Sequence, residues 1–108
     1  MLNKIIEIAE KLEWTVNVEN DYIEFGQYSP AGEDFSFIVN TVTPKEIIEQ
    51  VVEYADDFDI DEHIGMWIEA KRNGVSGVPS TRELVYDAEE ISEMLNTLAE
   101  RLLIETRR

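Results

Sequence analysis

The apolar positions in the N-terminal part of the chain change from a helical to an alternating pattern. Apolar residues of segment 2–12 recur on one helical face, which predicts a helix. From Trp14 to Val18 apolar and polar residues alternate, as in a half-buried strand, and segments 22–28 and 35–39 predict two more strands rich in aromatic and β-branched residues. Because polar turn residues separate the strands, we expect an antiparallel meander with the helix on one face.

The rest of the chain predicts three helices, each with a recognisable start. Thr43-Pro44-Lys45-Glu46 is a capping box with proline at the first helical position, and its helix should run to about residue 57. Asp59 is the cap of a shorter helix that stops at Asn73-Gly74. Ser80-Thr81-Arg82-Glu83 is a second capping box and precedes a long helix. The apolar positions of that helix are Leu84, Ala88, Ile91, Leu95, Leu98 and Leu102.

These elements predict a single α+β domain over residues 1–108, in the order α-β-β-β-α-α-α, with a three-stranded antiparallel sheet packed against helices. The loop between the last two helices is rich in glycine, and we expect Val75 and Val78 to anchor it on the core. A loop that contacts a partner is the alternative. The basic residues that flank this loop are Lys71, Arg72 and Arg82.

The composition excludes several classes of site. The chain has no cysteine, which excludes disulfides, iron–sulfur clusters and thiolate zinc sites, and His63 is its single histidine. No apolar run approaches the roughly 18 residues that a membrane span requires. The N-terminal segment is charged too early for a signal peptide. We therefore expect a cytoplasmic protein without a metal or cofactor.

The net charge narrows the choice of partner. The chain has 24 Asp and Glu residues against nine Lys and Arg, which gives a formal net charge of −15. Most of this charge lies in the first two-thirds of the chain, and residues 44–69 carry nine acids and a single lysine. Such a chain repels nucleic acid and anionic membranes, and it favours basic proteins as partners.

An acidic stripe is predicted on the helix that begins near Pro44. Five carboxylates occupy a band about 100° wide opposite the apolar face, at about one per 4 Å along the axis. This spacing is close to the roughly 3.4 Å between phosphates of a nucleic-acid strand. Three more acids extend the run. We call these eight predicted partner-binding residues the acidic face: Glu46, Glu49, Glu53, Asp56, Asp57, Asp59, Asp61 and Glu62.

The acidic face has a second interpretation, which is a merely solvated surface. Against it, like charges at helical neighbours repel, and a surface that serves only solubility would mix both signs. Segment 57–62 begins like a calcium-binding loop, but Glu62 stands where glycine is needed and Ile68 where a bidentate glutamate is needed, so we expect no calcium site. His63 follows Asp61 and Glu62, and we expect it to form a surface hydrogen bond.

The sequence contains no pattern typical of an enzyme. It has no Walker loop and no GxGxxG, HExxH or GxSxG motif. With 24 acidic residues, neighbouring carboxylates occur by chance and indicate no acid–base catalysis. We expect no catalytic residues and no enzymatic activity.

Segments 28–35, 58–67 and 77–84 together give the sequence a resemblance to a known group of proteins. It resembles a family of small, acidic, uncharacterised bacterial proteins of phages and other mobile elements, over most of residues 20–103. The resemblance carries over no activity and no catalytic residue. It implies a context in which small acidic proteins are often inhibitors of host defence, including anti-CRISPR and anti-restriction proteins, and several of those present carboxylates where DNA would lie.

The sequence therefore leads to two hypotheses about function. In the first, the protein is a non-enzymatic inhibitor of anti-CRISPR or anti-restriction type, a DNA mimic that occupies a basic nucleic-acid-binding groove of a CRISPR effector or restriction complex through the acidic face. In the second, it is a structural or regulatory interaction module, either a monomer whose long last helix packs against the sheet or a homodimer with that helix as an apolar seam. Neither hypothesis involves direct contact with nucleic acid or a membrane.

Overall fold

The computed structural model describes residues 1–30, 32–77 and 80–106, and its elements follow the predicted order. A helix, three strands and three further helices succeed one another, which confirms the α+β fold. The elements are α1 (Leu2–Lys11), β1 (Thr15–Val18), β2 (Tyr22–Tyr28), β3 (Asp34–Asn40), α2 (Pro44–Asp57), α3 (Ile60–Arg72) and α4 (Thr81–Thr106).

The three strands form one antiparallel sheet in the order β1-β2-β3, which is the predicted meander. Phe25 of β2 is opposite Val16 on one side and Phe37 on the other. Directly opposite residues share a face of the sheet, and Phe25 and Phe37 are buried against the helices. Side chains of the other face point to solvent, where Tyr28 is 71% exposed and Ile38 is 56% exposed. The sheet is thus covered by helices on one face.

The long helix α4 is the centre of the helical layer, because it packs against α1, α2 and α3. Its six predicted apolar positions are all buried. Leu95, Leu98 and Leu102 are completely inaccessible and join one hydrophobic core with the apolar face of the sheet. By contrast, α3 has no fully buried residue and lies at the surface of the domain.

The two predicted capping boxes are confirmed by reciprocal hydrogen bonds. Thr43 Oγ1 accepts from the Glu46 amide at 3.3 Å and donates to Glu46 Oε1 at 2.9 Å. Ser80 Oγ accepts from the Glu83 amide at 3.3 Å and donates to Glu83 Oε1 at 3.0 Å. The predicted end of α3 is also confirmed, since Gly74 adopts a φ of +81°, a conformation that favours glycine.

Two valines that the pattern directs towards the core are exposed instead. Val18 is 44% exposed, because it ends the short edge strand β1, which has a neighbour on one side only. The expectation that Val75 anchors the loop after α3 is wrong, since Val75 is 52% exposed and residues 73–77 are exposed throughout. Val78 lies outside the described residues. This part of the loop is therefore not packed on the core.

Candidate functional site

The acidic face is exposed along its whole length. All eight of its residues are exposed, five of them on α2 and three at the start of α3. The face is not flat, however. Glu53 and Asp57 border one open cavity, while Asp57, Asp59 and Glu62 border a second. Glu49 borders a third, near the first residue of the chain. The structure therefore places part of the predicted set beside concave surfaces.

Two residues of the acidic face also cap helices. Glu46 completes the capping box of α2, and Asp59 Oδ1 accepts a hydrogen bond of 3.1 Å from the Glu62 amide at the start of α3. Within the described ranges, no lysine or arginine lies within ion-pair distance of any of the eight carboxylates. The ion pairs of lysine and arginine found there join Lys11 to Glu7 and Arg101 to Glu105.

The repulsion within the acidic face is only partly compensated among the described residues, by the N-terminal ends of the helices beside Glu46, Asp61 and Glu62. Like charges three or four residues apart on a helix destabilise it by about 0.2–0.5 kcal/mol per pair at low salt. Asp56 and Asp57 lie in the last turn of α2, near the negative end of the helix dipole, and that turn contains no basic residue. A basic partner would supply the missing compensation.

Beside the C-terminal end of the acidic face lies an open cavity of about 350 Å³, which we call the acidic–aromatic cavity. The rings of Tyr54 and Phe58 and the thioether of Met66 form its apolar wall, and Met66 is 57% exposed. Aromatic ring faces and carboxylates both attract cations, so this cavity suits a cationic group. Its polar lining consists of Asp57, Asp59, Glu62 and His63.

A stack of three aromatic rings holds the wall of the cavity against the sheet. The ring of Phe37 lies parallel to that of Phe25, with centroids 5.2 Å apart, and to that of Tyr54, with centroids 4.6 Å apart. Burial raises the pKa of the Tyr54 hydroxyl above its usual value, so the phenol stays neutral at physiological pH. No local pattern indicates this stack, because it joins α2 to two strands.

A three-residue bridge fixes α3 to the loop between β2 and β3. The carboxylate of Glu33 has one oxygen 3.3 Å from the Trp67 indole Nε1, which donates to it, and the other 3.1 Å from His63 Nε2. The side chain of His63 is 11% exposed, and its ring packs on Phe58 and Phe35. His63 thus bonds to a distant carboxylate rather than to its neighbours in sequence. No local pattern indicates a pairing across 30 residues.

We expect Glu33→Ala to loosen α3 without unfolding the domain. The substitution leaves the nitrogens of His63 and Trp67 without their acceptor, which should cost about 1–3 kcal/mol. The measurement is hydrogen exchange of the α3 amides, compared with those of α4. Glu62→Ala is the matched control, because Glu62 is an exposed carboxylate next to His63 and its side chain bonds to neither nitrogen. Equal exchange in the two variants would contradict a structural role for the bridge.

Comparisons with known proteins do not assign the chain to a family. The chain matches no protein-family model, no curated protein and no solved structure. The resemblance to phage proteins therefore stays a prediction from the sequence. Among the described residues, no helix is long and apolar enough to cross a membrane. The same part of the chain contains no group of three or more His, Asp or Glu side chains arranged to hold a metal ion.

Proposed function

We propose that the protein is a non-enzymatic inhibitor that binds a basic groove of a nucleic-acid-binding protein through the acidic face. The observation that carries the proposal is the succession of eight exposed carboxylates without a lysine or arginine partner among the described residues. Only Glu46 and Asp59 of the eight have an internal task, as helix caps. Asp61 and Glu62 lie in the first turn of α3, where the helix dipole favours them, and the remaining four carboxylates repel one another along α2.

The arrangement of these charges supports mimicry of a nucleic acid. Along α2 the carboxylates average about one per 4 Å of helix axis, near the roughly 3.4 Å phosphate spacing of a strand. Because a helix holds their backbone in place, binding costs conformational entropy only from the rotamers of these side chains. A strongly negative face also speeds association with a positive groove, and that rate falls as salt rises.

The particular kind of inhibitor that we propose is an anti-CRISPR or anti-restriction protein. The sequence resemblance to proteins of phages and mobile elements supports this choice, as does the net charge of −15. The targets of such inhibitors have basic grooves for DNA or RNA, which match the charge of the acidic face. The proposal involves no chemistry, and we assign Glu33, His63 and Trp67 to the structural bridge described above.

A structural or regulatory interaction module is the second candidate. The seam predicted on the last helix does not serve for a homodimer, because its six apolar residues are buried within one chain. A dimer through α4 would instead need its exposed apolar residues, of which Tyr86 is 57% and Val85 is 38% exposed. Such an interface would be largely apolar and would resist salt.

The experiment that separates these candidates is capture of partners from a bacterial lysate. Tagged protein is washed at about 0.1 M and then about 1 M salt, where the Debye length falls from about 10 Å to about 3 Å. Eluted proteins are identified by mass spectrometry. For the inhibitor, we expect a basic nucleic-acid enzyme that elutes as the salt rises. A partner that stays bound at high salt, or a second copy of the chain alone, would contradict the proposal.

A further inference from the structure

The outer edge of β3 is an open strand edge. In the antiparallel pair of β2 and β3, the outermost bonds are those from the Ser29 amide to the Glu33 carbonyl and from the Thr41 amide to the Asp21 carbonyl. Because bonded pairs alternate along such a ladder, the intervening residues of even number direct their backbone groups away from β2. Those residues of β3 are Asp34, Ser36, Ile38 and Asn40.

The backbone of Asn40 already pairs with the side-chain amide of Gln50, which occupies the place of a neighbouring strand. The Asn40 amide donates to Gln50 Oε1 at 2.8 Å, and Gln50 Nε2 donates to the Asn40 carbonyl at 3.1 Å. A residue of a further antiparallel strand would make the same pair of bonds to Asn40 with its own backbone N–H and C=O. In the described part of the chain, no such partner lies on the outward groups of Ser36 and Ile38, and both residues are exposed.

The open edge runs beside acidic cavities. A cavity of about 230 Å³ lies between the edge and α2, and its lining includes Ile38, Gln50 and Glu53. Tyr54 and Asp57 line both this cavity and the acidic–aromatic cavity, so the two cavities are adjacent. A strand that pairs with β3 would therefore have carboxylates and aromatic rings beside it. Proteins usually protect exposed edges with lysine, proline or a covering element, and the carboxylates of α2 provide no such protection against a basic chain.

We propose that the outer edge of β3 binds an extended basic segment of the partner, which adds to the sheet as a fourth strand. This inference rests on the proposed function, because it takes the partner to be a basic protein and adds how one of its segments is bound. Backbone bonds to Ser36 and Ile38 hold the segment. Every second side chain of the segment points to the inner side of the sheet, about 6.6–6.8 Å from the next. Arginine or lysine at those positions reaches Glu53, Asp57 and the ring of Tyr54.

Charge determines the choice of occupant. A second copy of this chain would bring its own acidic face to the edge, and at a net charge of −15 the two copies would repel one another. An arginine side chain instead finds carboxylates and ring faces together, and a guanidinium binds well to both. An extended basic segment thus satisfies the backbone groups and the charges at once.

The probe for this site is a synthetic peptide of about eight residues in which arginine and threonine alternate. Two further copies of the peptide carry N-methyl groups on the backbone. One copy is methylated at the backbone nitrogen of every arginine, and the other at the backbone nitrogen of every threonine. In an added strand the backbone nitrogens of one residue type face β3 and those of the other face away. We therefore expect one methylated copy to bind about tenfold or more weakly and the other to bind like the parent. All three peptides have the same charge.

A matched pair of protein variants tests the same edge from the other side. Ile38→Pro removes an outward N–H that the β2 ladder does not use, and edge strands tolerate proline at such positions. Ile38→Thr keeps the N–H and the β-branched shape. We expect about tenfold weaker peptide binding for the proline variant and less than about threefold change for the threonine variant. Amide chemical shifts in the free variants report whether the sheet is intact, and the methylated peptides decide the matter if it is not.

The outcomes separate this inference from the proposed function. If both methylated copies bind like the parent peptide, strand addition is wrong, although an acidic face that binds by charge alone still stands. If the chain forms a dimer that Ile38→Pro dissociates, the occupant is a second copy and the inference is overturned. The proposed function fails by a different result, namely undiminished binding of the captured partner after charge reversal on α2.

Discussion

Lysine at four positions of the acidic face is expected to weaken binding of the captured partner by at least about a hundredfold, because each change turns an attraction into a repulsion. Glu46 and Asp59 are left unchanged, since their side chains cap α2 and α3. Binding is measured as Kd at low salt, and the loss should lie mainly in the association rate. The four exposed positions are Glu49, Glu53, Asp56 and Asp57.

The fold should tolerate this variant. The replaced side chains are exposed, and lysine in place of Asp56 and Asp57 is favourable near the C-terminal end of the α2 dipole. We therefore expect an unchanged or slightly higher melting temperature, so a loss of binding cannot be ascribed to unfolding.

A second variant with the same change in net charge is the matched control. It carries lysine at four exposed acidic positions outside the acidic face, which are Glu10, Glu19, Glu89 and Glu100. We expect its Kd to change by less than about tenfold, since steering depends on where the charges lie as well as on their sum. Equal losses of binding in both variants would mean that net charge alone, and not the position of the acidic face, determines the affinity. Undiminished binding in the first variant would mean that the acidic face is merely a solvated surface.

Features that depend on neighbouring residues could be predicted from the sequence. Thr43 and Glu46 lie within one helical turn, so their capping box is a local property and the sequence suffices to predict it. The buried positions of α4, from Leu84 to Leu102, follow from helical spacing in the same way. The exposure of the five α2 residues of the acidic face follows from their position opposite the apolar face of that helix. Each prediction needed only one element at a time.

Features that depend on how elements pack could not be predicted. Glu33 contacts His63 and Trp67 because the β2–β3 loop is folded against α3. The residues near His63 in the sequence do not indicate that Glu33 is its partner. Tyr54 belongs to the wall of a cavity because it stacks on Phe37, a residue of another element. The open edge of β3 likewise follows from the strand order, which leaves β3 with one neighbour. The charges of the candidate site were thus visible in the sequence, while the concave surfaces beside them were not.

Leu98→Ala is expected to lower the free energy of unfolding by about 3–5 kcal/mol, the largest change in stability that we predict. Leu98 is completely buried where α4 meets the rest of the core, so the truncation leaves a cavity that the surrounding helices only partly fill. A domain of this kind has about 5–15 kcal/mol of stability in total. The measurement is urea-induced unfolding followed by circular dichroism, with the slope of the transition checked against the wild type.

Ile104→Ala on the same helix is the control, because Ile104 is 48% exposed and its truncation should change stability by less than about 0.5–1 kcal/mol. Sedimentation of Leu98→Ala then distinguishes a core residue from a residue of a dimer seam. In the seam hypothesis, substitution of Leu95 or Leu98 dissociates a homodimer into folded chains. Because both side chains are buried within one chain, we expect a loss of stability that does not depend on protein concentration. A folded, fully stable monomer released from a wild-type dimer would contradict the packing of α4 described here.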